Sequence, residues 1–118
     1  MCDLHGSDAL DFLRQVKTST ALHRSELSTR FELFVSGDGL TQWVFTQPSE
    51  EAYPAMTCRR LSKDWQGHWI AKRKLRCEAG RLTCDRLAAE FERLDEQLRR
   101  SLTDGKIGHS FEFPHLRA

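Results

Sequence analysis

Residues 31–46, FELFVSGDGLTQWVFT, decide the fold class. Phe31, Leu33 and Val35 alternate with Glu32 and the preceding Arg30, which is the period of a strand with one buried face. Ser36-Gly37-Asp38-Gly39 follows, and Asp-Gly after such a strand signals a hairpin. The chain returns from Leu40 to Thr46 with Thr41, Trp43 and Phe45 on one face. An antiparallel hairpin therefore stands near the middle of the chain, and the rest reads outward from it.

Gln47-Pro48-Ser49-Glu50-Glu51 breaks the return strand, because proline has no N–H for the ladder. A third strand fits Ala55 to Leu61, and a fourth, the longest, Trp65 to Cys77. Glu78-Ala79-Gly80 reads as a turn; Arg81 and Leu82 would add a short strand before Thr83 caps a helix. Leu87, Phe91, Leu94, Leu98 and Leu102 repeat at alternating spacings of four and three, with charges between them, until Asp104-Gly105. Upstream, Ser7 or Asp8 caps a first helix whose Ala9, Phe12, Leu13 and Val16 share one face. Residues 21–28 have no period and read as a helix extension or a loop. The expected class is α+β: an antiparallel meander sheet of four to five strands, an N-terminal helix, and a long amphipathic C-terminal helix packed on it. At 118 residues the chain is one domain, with a short flexible start over residues 1–6 and a tail over 104–118. Phe111, Phe113 and Leu116 of that tail are expected to dock on the core or on a partner, and helices only at the chain ends are expected to cover one sheet face.

Hydrophobic residues make up 39% and charged residues 30%, which excludes general disorder, and no apolar run approaches a membrane span. The acidic start, with Asp3, Asp8 and Asp11, lacks the basic then apolar order of a secretory signal. Free thiols and a cytoplasmic setting are therefore expected for Cys2, Cys58, Cys77 and Cys84. The chain has no asparagine and more arginine than lysine, which suggests a GC-rich bacterial origin.

Net charge is only +1, yet Arg59 to Arg86 holds nine basic and three acidic residues. The flanks are mildly acidic. If Trp65 to Cys77 is one strand, Lys72, Lys74 and Arg76 share a face with His68 and Ile70. Trp65, Gly67, Trp69, Ala71, Leu75 and Cys77 fall opposite, with Arg73 an awkward member that must snorkel or lie near an edge. Arg60 joins the basic row if the third and fourth strands pair in register. Such a row is either a binding face for anions or an edge strand guarded by lysine and arginine. His68 and a nearby tryptophan would be available for stacking.

No catalytic residue or cofactor is expected. Cys77 and Cys84 with His68, and the Cys2-x-x-His5 pair, lack the two close ligand pairs of structural zinc. Cys84 near a helix start beside Arg81 and Arg86 would have some reactivity, but no base stands at a useful spacing. Glu50-Glu51 and Asp95-Glu96 lack the apolar surroundings that separate two carboxylate pKa values. No phosphate-loop, dinucleotide or nucleophile-elbow motif occurs.

The order helix–strands–helix resembles secretion chaperones of the type III class and small RNA-binding subunits with a basic sheet; no residue is transferred from either. The expected function is a non-enzymatic protein-interaction module: an adaptor, regulator or dedicated chaperone. It would hold an acidic protein partner through Arg60, His68, Lys72, Lys74 and Arg76 and exposed aromatics. The second expectation is a nucleic-acid-binding domain using the same ladder. A membrane is not expected as a partner, and a homodimer is left open because twofold assemblies are common.

Overall fold

The computed structural model describes residues 1–19 and 21–103. Helix α1 (Ala9–Thr18) is followed by strands β1 (Leu22–Leu27), β2 (Phe31–Ser36), β3 (Thr41–Thr46), β4 (Ala55–Lys63) and β5 (Trp69–Cys77), then helix α2 (Arg81–Thr103). The five strands form one antiparallel meander in sequence order, with β1 and β5 at the edges. The expected α+β class and its two terminal helices are thus present.

The central hairpin closes as its residues dictate. Asp38 accepts hydrogen bonds from the Ser36 hydroxyl at 2.6 Å and the Leu40 N–H at 2.9 Å. Gly39 takes φ +75, the left-handed region open to glycine. Asp8 caps α1 by accepting the Asp11 N–H at 2.8 Å.

The helices lie on opposite faces of the sheet, which corrects the expectation that one face would stay uncovered. On one side Leu87, Phe91, Leu94, Leu98 and Leu102 of α2 pack on Phe31, Leu33, Val44, Ala55 and Leu61. On the other, Ala9, Phe12 and Val16 of α1 pack on Phe34, Trp43, Phe45, Met56 and Cys58. Phe12 stacks on Trp43 with ring centroids 5.9 Å apart. Strands β2 and β3 are therefore buried on both faces, and their simple alternation describes side-chain direction rather than exposure.

Four local expectations change. Residues 22–27 form a strand rather than a helix extension or a loop. Trp65 leaves the expected long strand: Asp64 accepts the Gln66 and His68 N–H groups at 2.9 and 2.8 Å, and Gly67 takes φ +81. That turn makes β5 begin at Trp69 and leaves Trp65 91% exposed at the hairpin tip. Arg81 and Leu82 are helical, because the Gly80 carbonyl accepts the Cys84 N–H at 2.9 Å and Thr83 lies inside the first turn. Lastly, the cysteines are two disulfides, Cys2–Cys58 and Cys77–Cys84, rather than free thiols. The turn between β5 and α2 brings Cys84 to Cys77, so the thiolate reactivity expected of Cys84 is removed. The stretch 1–6, expected to be a loose start, is tied to β4 through Cys2. Phe111, Phe113 and Leu116 lie outside the described residues.

Candidate interaction surface

β4 and β5 pair without a register shift over nine residue pairs, from Ala55–Cys77 to Lys63–Trp69. Directly opposed residues share a face. The pairs Met56–Arg76, Cys58–Lys74, Arg60–Lys72 and Ser62–Ile70 therefore lie on the α1 side. Four of the five expected site residues (Arg60, Lys72, Lys74 and Arg76) come together there, Arg60 directly beside Lys72. His68 lies at the end of the row in the connecting turn, its side chain 73% exposed and Nδ1 3.6 Å from the Asp64 carboxylate.

Helix α1 stops short of this row. No β5 side chain joins the cluster beneath α1, and Ile70, Lys72, Lys74 and Arg76 are exposed. The outer cations are neutralised locally: Arg60 pairs with Asp3 at 2.6 Å and Arg76 with Glu78 at 2.9 Å. Among the described residues, Lys72 and Lys74 have no ion-pair partner. Glu78 also accepts the Ala9 N–H at 3.1 Å, so the start of α1 is pinned beside the end of the ladder.

The opposite row of β5 is built differently. Trp69, Ala71, Leu75 and Cys77 pack against the α2 core. Arg73, expected to be awkward, is 11% exposed at its side chain and grips Asp95 of α2 through two 2.7 Å hydrogen bonds. It also donates to Thr57 at 3.0 Å and lies 4.6 Å from the Phe91 ring centroid. Beside it Arg59 is fully buried. Burial away from water, with the Arg73 charge adding to it and Asp95 opposing it, pushes the Arg59 guanidinium down to about 9. Arg59 stays charged at neutral pH, and both arginines belong to the packed interior.

Two shallow clefts of about 320 and 370 Å³ flank Arg30 beside α2. Arg30 donates to Glu90 at 2.9 and 3.0 Å and to Glu50 at 3.0 Å, and these carboxylates hold its guanidinium above the ordinary arginine range. Its donors are committed to those carboxylates. Among the described residues, no three His, Cys, Asp or Glu side chains group to hold a metal ion. None of the described helices is long and apolar enough to cross a membrane.

Sequence reasoning missed Asp3, Cys2 and Glu78 as borders of the basic row. Asp3 and Cys2 reach it through contacts spanning 57 and 56 positions, which leave no local pattern. The class the fold defines is a five-stranded antiparallel sheet with one helix on each face and a cationic edge. Compared with known protein families, curated proteins and solved structures, the chain matches none.

Proposed function

We propose that the protein is a non-enzymatic interaction module that holds an acidic protein partner on the α1-side face of β4 and β5. The observation that carries this reading is the pair Lys72 and Lys74, exposed, adjacent on one face, and without carboxylate partners among the described residues. A guard against aggregation needs charge on an edge, and it is equally well served by charges with internal partners. Two lysines left open beside a helix are suited to an external carboxylate.

Nucleic acid is the second reading and has less support. Trp43 is buried and Trp69 packs toward α2, so among the tryptophans only Trp65, at the hairpin tip beyond the paired strands, is exposed for a base to stack on. Asp3 and Glu78 repel phosphates and partner carboxylates alike, whereas a net charge of +1 is low for a domain that binds a phosphate backbone.

The expected cytoplasmic setting fits poorly with two disulfides, which a reducing compartment keeps open. The reading therefore places the partner in an oxidising compartment, and thiol titration of protein taken directly from its host would test this. Two cystines support it; four titratable thiols return the protein to the cytoplasm.

The function is tested with immobilised protein at low and high salt. Acidic proteins from host extract should be retained by the natural chain and lost with the pair Lys72→Glu and Lys74→Glu. Retention of DNA instead, with a log K against log salt slope of about −3.6 for four phosphates, would favour the second reading.

A further inference from the structure

The outer edge of β5, which no described strand pairs, adds something to the charge on its face. Two hydrogen bonds bracket the β4–β5 ladder: Asp64 N–H to the His68 carbonyl at 2.9 Å, and Glu78 N–H to the Pro54 carbonyl at 3.0 Å. With no register shift between them, the antiparallel alternation gives the phase of every pair. Ile70, Lys72, Lys74 and Arg76 direct their N–H and C=O groups to β4. Ala71 and Leu75 direct theirs to the other side, where no described strand pairs. The cations therefore stand at the positions that a strand added outside β5 would meet without hydrogen bonds. At such positions Cα atoms lie about 4.5 Å apart and side chains are closest.

We infer that β5 captures an extended segment of an acidic partner as a sixth, antiparallel strand, with Asp or Glu at alternate positions opposite Lys72, Lys74 and Arg76. This rests on the acidic-partner reading above and names how that partner binds. The intervening guest residues would take the hydrogen bonds of Ala71 and Leu75 along the flank of α2.

The same geometry argues against a second copy. In an antiparallel pairing of β5 with itself, residues of one row meet residues of the same row, and in the register centred on Arg73 each Lys72 faces the other copy's Lys74. Like charges directly opposed are destabilising, and carboxylates reverse the sign. The other edge offers no comparable site. β1 pairs with β2 through a shift between Arg24 and Glu26, and such a bulge bends an edge and interrupts its regular bonding.

The test uses the full chain and two fluorescent peptides of equal composition, with blocked ends. One is Thr-Glu-Thr-Glu-Thr-Glu-Thr; the other gathers its three glutamates at one end. The alternating peptide should bind about tenfold more tightly, the product of a few favourable cross-strand pairs. It should slow amide exchange at Ala71 and Leu75, and leave Lys72 and Lys74, already bonded to β4, unchanged. Methylating the guest amides that face the edge should abolish this binding without altering the protein. Equal binding of both peptides without edge protection would overturn strand addition and leave the basic-face reading standing. If neither peptide binds while an oligothymidylate does, both readings fall.

Discussion

The two rows of β5 carry cations of the same kind and meet opposite fates. On the α2 side Arg73 is held by Asp95, Thr57 and the Phe91 ring, within a leucine-rich core. On the α1 side Lys72 and Lys74 stand exposed beyond the reach of a helix that covers only the earlier strands. The chain places cations at successive residues, and it is the helix above each that decides which become structural. A charge count along the sequence thus mixes two populations, and only the second is available to a partner.

The largest expected effect lies on the α2 side. Phe91→Ala should cost about 4 kcal/mol in urea unfolding, since it empties a core site touching Phe31 and uncovers Arg73. Asp95→Asn should cost about 3 kcal/mol, because it leaves a mostly buried guanidinium beside Arg59 without its carboxylate. A loss under about 0.5 kcal/mol in either variant would dissolve the contrast between the rows.

Each face also has its own disulfide, and the closed loops differ, with sequence separations of 56 for Cys2–Cys58 and 7 for Cys77–Cys84. On the chain-entropy account, Cys2→Ala should cost about 1.8 kcal/mol more than Cys77→Ala. Thermal unfolding of the two variants checks this, and equal losses would place the effect in local packing instead. Arg59→Met should stabilise by about 1 kcal/mol at neutral pH, since it removes a buried charge from a site that disfavours it. Above about 9 the native protein sheds that proton while the unfolded chain, with an ordinary arginine, keeps it, so the natural protein gains stability as pH rises. The advantage of Arg59→Met should therefore shrink between pH 9 and pH 11, and a constant difference would refute the burial effect. The smallest effect belongs to Lys72→Gln with Lys74→Gln, expected within about 0.5 kcal/mol of the natural protein. A larger loss would make those lysines structural and remove the case for binding.

Much of the architecture was legible because it is written locally. The period of two in residues 69–77 and the four-and-three spacing of Leu87 to Leu102 each reflect one element meeting one surface. The register of Arg60 with Lys72 was readable only as a condition, which the short Asp64–His68 connection meets. β1 was missed for a physical reason. Its shift between Arg24 and Glu26 puts Leu22, opposite Ser36, and Leu27, opposite Glu32, on one face although they stand five positions apart, a spacing that strict alternation assigns to opposite faces. Trp65 misled because parity places a side chain only within a strand, and Asp64 and Gly67 end the strand there. Arg73–Asp95 and Arg60–Asp3 join residues 22 and 57 positions apart, and neither partner announces the other. Four cysteines announce pairing by their even number, whereas the acidic start of the chain points toward a reducing compartment, where thiols stay free.

The bond between Cys2 and Cys58 has a mechanical consequence. Tension entering at Met1 would pass from Cys2 straight into β4, bypassing α1 and the first three strands. Those elements would carry no load while the sulfurs stay joined, however firmly or loosely they are packed. Reduction would release that hidden length, on the order of 190 Å for a separation of 56 residues at full extension, as one step in a pulling trace.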